Sequence, residues 1–182
     1  RGLQFLHLSK IVHGDIKPHN ILIFGDSSAS GNTTVKLCDF GCSAVVEKAN
    51  KQSKSCTIRY NAPEVLIDSK GSFPSDVWSV GCVLYEMIRG TVLVPEDNRL
   101  DRSERTKSAV KSIQMWREGE GDAIHDRLPD DIVINPIIFR IAGKLGDLVK
   151  SLTKYATEDR LTIHQLLLVL NSMRPSDVST GH

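Results

Sequence analysis

Charge of one sign, membrane-length apolar runs and paired cysteines are what this 182-residue chain most lacks. Lysine plus arginine number 23 against 22 aspartate plus glutamate, a formal charge of +1. Binding to a phosphate backbone usually needs a clearly basic face, so no nucleic-acid partner is expected. No stretch approaches the roughly 20 apolar residues of a membrane helix, so no span is expected either. The four cysteines (Cys38, Cys42, Cys56, Cys82) form no C-x-x-C pair and no small secreted framework, which points to free thiols in a reducing compartment. A cytoplasmic setting is expected, with the nucleus as the alternative. Internal repeats are lacking too. There is no initiator methionine, and Arg1 stands inside a helical pattern, so the sequence reads as part of a longer protein. What is present is 40% hydrophobic and 25% charged, an ordinary globular composition for one domain.

The chain runs from short strands to helices. Leu3, Phe5, Leu6 and Leu8 read as the end of an apolar helix. Ile11-Val12, Ile21 to Phe24 and Val35 to Cys38 are β-prone runs, the last two joined by a polar loop over Gly25 to Thr33. From Gly41 to Asn61 the chain is polar and aperiodic, with a basic patch at Lys48, Lys51 and Lys54; exposed segments of that length are usually functional or disordered. Val77, Val80, Val83, Leu84, Met87 and Ile88 predict a buried helix over Asp76 to Arg89, with Ser75 as N-cap and Gly90 as the stop. Residues 91–107 read as a solvated connection. Ala109, Val110, Ile113 and Trp116 form one helical stripe, and Leu145, Leu148, Val149 and Leu152 another. Thr162 and Gln165 make a capping box before a further helix, and residues 174–182 read as a flexible tail.

Chemistry concentrates in His13-Gly14-Asp15-Ile16-Lys17-Pro18-His19-Asn20, between two strands. Asp15, Lys17 and Asn20 differ in type and are spaced so that one tight loop can aim all three at a single point. Asp39-Phe40-Gly41 follows the third β-prone run. Thr57 to Glu64 ends in Ala62-Pro63-Glu64; Asp76-Val77-Trp78-Ser79 with Gly81 opens the buried helix, and Arg160 stands near the end. Singly, each aspartate or asparagine is an ordinary turn residue. Taken together and in this order, the residues resemble the catalytic loop, D-F-G and A-P-E signatures of eukaryotic protein kinases over roughly residues 3–170.

The resemblance implies an α+β, mainly helical fold: a protein-kinase C-terminal lobe over residues 1–173, whose short β-hairpins carry the catalytic and metal-binding loops. It implies ATP and Mg²⁺ as cofactors and a protein substrate with a serine or threonine acceptor. A regulatory partner is possible on this reading and is not identified. Asp15 would accept the substrate proton and Lys17 would offset charge at the γ-phosphate. Asn20 and Asp39 would hold metal, and Leu22 would form the floor under the adenine. Lys17, two residues after Asp15, together with Thr57 resembles the serine/threonine class. His13 and Phe40 would belong to an apolar stack tied to Asp76, and Glu64 would pair with Arg160. The alternative function is a pseudokinase or scaffold that transfers no phosphate. A small-molecule kinase fits the Thr57 to Glu64 segment less well.

Departures from the pattern carry expectations of their own. Gly14 stands where the family has arginine, so phosphorylation at Ser53 or Ser55 is not expected to be the on-switch. Cys56 replaces a usual glycine. No G-x-G-x-x-G and no V-A-I-K lysine precede the catalytic loop, so the segment alone is expected to be inactive, with apolar surface exposed. The remaining features have plainer readings: Cys38 and Cys82 as small core residues, with Cys38 alternatively a reachable thiol; Trp116 as a packing anchor; and His7, His19, His125, His164 and His182 as solvated or satisfied histidines.

Overall fold

The structure, a computed structural model, describes residues 1–25, 33–46, 57–117 and 145–173. The expectations for the interior of the 25–33 loop, the basic patch at Lys48, Lys51 and Lys54, Ser53, Ser55, Cys56, His125, the Trp116 side chain and the tail with His182 lie outside the described residues. The first part alternates strands with loops: α1 (Gly2–Leu8), β1 (Ile11–Val12), β2 (Ile21–Phe24), β3 (Thr34–Leu37) and β4 (Ala44–Val45). Helices follow: α2 (Pro63–Asp68), α3 (Phe73–Arg89), α4 (Arg102–Arg117), α5 (residues 145–152) and α6 (Ile163–Ser172). Single 3₁₀ turns lie at Pro18–Asn20, Ile58–Tyr60 and Thr157–Asp159. The result is the mainly helical α+β architecture that the motifs imply.

Among the described residues four short strands form two antiparallel ribbons, and their topology positions the site. β1 pairs with β4 (Ile11 opposite Val45, Val12 opposite Ala44), and β2 pairs with β3 (Ile21 opposite Leu37, Phe24 opposite Thr34). The chain from His13 to Asn20 leaves one ribbon and enters the other; the chain from Cys38 to Ser43 returns. Both loops are therefore pinned at both ends by the same two ribbons and must lie side by side.

α3 is the central post. Val77, Trp78, Cys82 and Val83 are buried, with Ser75, Asp76 and Ser79 buried among them. The core on one side gathers Leu3, Leu6, Ile16, Ile58, Ala109 and Ile113; on the other, Val77 meets Leu148, Leu152 and Leu166. The helix begins three residues earlier than Ser75 suggests. Ser72 is the N-cap, its side chain accepting from Ser75 N at 3.2 Å while Ser75 Oγ accepts from Ser72 N at 2.8 Å. Gly90 ends it in the left-handed conformation at φ 68°.

Other differences have local causes. α4 starts at Arg102, within the stretch read as a connection: its polar first turns carry no apolar stripe to mark them, and Asp101 starts it by accepting from Glu104 N at 2.9 Å. In α1, Leu3 and Leu6 enter the core, but Phe5 and Leu8 are exposed. Cys38 lies just past β3 and is half-buried rather than part of the strand.

Candidate active site

The loop from His13 is anchored from below. Buried Asp76 accepts from the backbone N–H of His13 (2.9 Å) and of Gly14 (2.9 Å), and from His7 Nε2 (2.9 Å). Three donors satisfy this carboxylate, which would otherwise be costly to bury on a core helix. His7 is thus a satisfied core histidine. Gly14 takes φ 78°, a conformation glycine adopts without the steric penalty of a Cβ. His13 is fully buried and cross-links the two loops. Its Nε2 donates to the Cys38 carbonyl at 3.2 Å, while Nδ1 accepts from Asp15 N at 3.3 Å, so the ring proton sits on Nε2. Ser43 Oγ donates to the His13 carbonyl at 3.0 Å, and the rings of His13 and Phe40 lie 5.2 Å apart.

Upon this frame Asp15, Lys17, Asn20 and Thr57 come together. Lys17 Nζ donates to Asp15 Oδ2 at 2.6 Å and to Thr57 Oγ1 at 3.0 Å. Asn20 Nδ2 donates to the Asp15 carbonyl at 2.8 Å and to Asp15 Oδ2 at 3.1 Å. Both bonds use the amide nitrogen, which turns Asn20 Oδ1 away from Asp15. Asp39 joins through its neighbours: Cys38 N donates to the Asn20 carbonyl at 3.0 Å, and Phe40 packs on His13. Asp39 is exposed and left-handed at φ 61°, a region aspartate tolerates better than most residues. Its Oδ1 accepts from Gly41 N at 3.2 Å. A Cβ on Gly41 would lie 3.1 Å from that oxygen, so a side chain there would crowd the carboxylate. Leu22 stands apart from these polar groups, half-exposed on β2.

These residues fit a magnesium nucleotide in their chemistry. Mg²⁺ takes hard oxygen ligands and typically only one or two protein carboxylates, with phosphate and water filling the rest. One exposed carboxylate and one oriented amide oxygen on adjacent loops meet that need. Among the described residues no group of three histidine, cysteine, aspartate or glutamate side chains forms a metal cage. A site completed by phosphates does not require one.

The Thr57 to Glu64 segment is held against α3. Tyr60 OH donates to Glu86 Oε2 at 2.7 Å, and Ser79 Oγ donates to the Tyr60 carbonyl at 2.7 Å. Burial, reinforced by the Glu86 carboxylate, pushes the Tyr60 hydroxyl above its ordinary range. Glu64 and Arg160 form a two-pronged pair at 2.6 and 2.8 Å, as the motif order predicts. Sequence reasoning missed Ser43 and the Tyr60–Glu86 bond. Neither carries a local signal, since each partner lies far along the chain.

Known proteins resemble this chain in sequence pattern and fold. The family model described as "Protein kinase domain" matches residues 1–169. The stress-activated protein kinase JNK of Suberites domuncula is 29% identical over 185 residues, covering 91% of this chain and 50% of that protein. Human serine/threonine-protein kinase D3 is 37% identical over 124 residues, covering 68% of this chain and 14% of its own length. Mouse cyclin-dependent kinase 4 is 41% identical over 102 residues, 56% of this chain and 32% of that protein. The crystal structure of the yeast RNA Pol II CTD kinase CTDK-1 complex matches with a TM-score of 0.66 at 21% identity, over 96% of this chain and 60% of that one. The chain thus spans about half the length, or less, of the curated relatives it matches. With the family model spanning nearly its whole length, this chain belongs to the protein kinase domain family.

Proposed function

We propose that this chain carries the catalytic and metal-binding loops of a serine/threonine protein kinase, which transfers the γ-phosphate of ATP to a protein hydroxyl. The observation that carries the reading is Lys17 Nζ held between Asp15 Oδ2 (2.6 Å) and Thr57 Oγ1 (3.0 Å). That knot joins a base, a cation and a substrate-side segment in one place. Asp15 is the candidate base for the substrate hydroxyl, a role generally worth roughly 10²–10⁴-fold in rate. Lys17 would offset negative charge at the transferred group. Asn20 and Asp39 would hold Mg²⁺, whose chemistry when bound is to bridge the terminal phosphates and neutralise developing charge. The half-exposed Leu22 would lie against the adenine.

Serine/threonine preference rests on Lys17 and Thr57 bonding to each other beside Asp15, and on relatives named as serine/threonine kinases. A scaffold that transfers no phosphate has no physical need for this knot together with Asp39 and Asn20. The test uses the whole protein with Mg²⁺ and ATP on a generic serine/threonine substrate. Phosphate transfer is expected, and Asp39→Ala should abolish it. Transfer that persists unchanged in Asp39→Ala overturns the site assignment, and a parent protein that transfers nothing supports the scaffold.

A further inference from the structure

Where the Ile58–Tyr60 turn meets α4, one carboxylate is shared by two guanidinium groups. Ile58 and Tyr60 point into the core, 3% and 7% exposed, which leaves Arg59 between them on the outer side. Arg59 Nε lies 3.9 Å from Glu96 Oε2, and Arg105 Nη1 donates to Glu96 Oε1 at 3.0 Å. Glu96 is the more enclosed member, its side chain 11% exposed against 33% for Arg59 and 28% for Arg105. The cluster therefore keeps an excess positive charge. Of the neighbouring acids, Asp97 is paired with Arg99 at 2.7 Å, while Glu86 accepts from the Tyr60 hydroxyl and keeps its charge. Arg59 Nε and Arg105 Nε are both buried without a hydrogen-bond partner. Arg59 Nε gives up no hydrogen bond when its guanidinium turns outward, whereas Arg105 would exchange its Nη1 bond to Glu96 for one to the new acceptor.

The position of this charge gives it a use. Arg59 is two residues from Thr57, whose hydroxyl is bonded to Lys17 and through it to Asp15. Two residues of chain span at most about 7 Å, which keeps the Arg59 backbone beside the Thr57–Lys17–Asp15 knot. Guanidinium forks match carboxylate and phosphate oxygens in pairs. We propose that Arg59 and Arg105 together receive an anionic side chain, glutamate or phosphoserine, of the protein substrate near its acceptor residue. Glu96 is then the internal occupant of the site: it holds the two arginines in place when no substrate anion is bound and competes with that anion when one is. The inference rests on the kinase reading above and names its substrate class.

The test uses the whole kinase and acceptor peptides that are identical except at one position, which is alanine, glutamate or phosphoserine. That position is scanned over about three residues on each side of the acceptor, the distance the chain geometry allows. At one position glutamate should raise kcat/KM about fivefold over alanine, the upper end for a solvent-exposed ion pair, and phosphoserine should raise it further. Arg59→Gln should bring that ratio to unity; Arg105→Gln should lower it and serves if the first variant folds poorly. Glu96→Gln should increase the ratio by removing the competing carboxylate. If the cluster only staples α4 to the segment, Glu96→Gln would lower stability and leave the ratio unchanged, and that result overturns the inference. So does a scan in which glutamate never exceeds alanine. A kinase that phosphorylates none of the peptides removes the parent reading, and this one with it.

Discussion

Arg160 shows how one side chain can tie the Thr57 to Glu64 segment to the C-terminal half. Its guanidinium is wholly buried, bonded to both Glu64 oxygens, and also donates to the carbonyls of Lys154 (2.5 Å), Pro74 (3.2 Å) and Tyr155 (2.9 Å). The Trp78 ring lies 5.0 Å away, covering the cation from one face. The two partners are therefore not equivalent. Removing Arg160 strands three carbonyls and a carboxylate, while removing the Glu64 charge leaves Arg160 with three acceptors. Arg160→Met is expected to cost about 3–5 kcal/mol, the range for breaking a buried pair. Glu64→Gln should cost less, about 1.5–3 kcal/mol: Glu64 is partly solvated, but one of its two bonds to Arg160 is lost and the other loses its charge assistance. Denaturant titration of the two variants gives the comparison; equal losses would show that the carbonyl contacts contribute little.

At the scale of elements, what could be read from sequence was what local chemistry specifies. β-branched pairs marked β1 and β2, Gly90 marked the end of α3, and Thr162 with Gln165 marked the start of α6, where the box closes at 2.8 and 3.2 Å. Elements made by distant partners were not readable. β4 is two residues in a polar stretch and exists because Ile11–Val12 supplies its other edge. α2 has six residues, Pro63 at its start and no side-chain cap. Site residues followed the same division. Asp15, Lys17, Asn20 and Asp39 stood out by spacing, whereas the roles of Ser43, Glu86 and Glu96 arise only when remote segments meet. The α3–α5 crossing offers a direct test of such packing. A Cβ built on Gly81 would lie 2.6 Å from Thr153 Cγ2 and 3.0 Å from Leu152 Cβ. Leu152 is fully buried and has little room to yield. Gly81→Ala should therefore destabilise by about 1–3 kcal/mol through overpacking, despite alanine's better helix propensity. A raised melting temperature would mean that the two helices separate at little cost.

For the molecule as a whole, the buried polar groups around α3 make stability depend on alkaline pH. Burial pushes the Cys82 thiol above its usual 9.0, and burial with the Glu86 carboxylate pushes Tyr60 above its usual 10.0. Both groups keep their protons in the folded chain over a range where the unfolded chain loses them. The folded state then binds more protons than the unfolded one, so stability falls as pH rises. Their contribution is fully present below pH 9.0 for the thiol and below pH 10.0 for the phenol, and it is lost above those points. Each group can add a slope of up to about 1.4 kcal/mol per pH unit once its unfolded form ionises. Denaturation midpoints measured from about pH 7 to about pH 11 should decline above those two values. Tyr60→Phe and Cys82→Ala should each flatten part of the decline relative to the parent, Cys82→Ala at the lower pH. Tyr60→Phe should also lower the neutral-pH stability by about 1 kcal/mol, since Glu86 loses its donor. If the parent's midpoint stayed level across the range, these two groups would have to ionise inside the fold. Tyr60 would then no longer donate to Glu86 or hold the segment that carries Arg59 and Thr57 against α3.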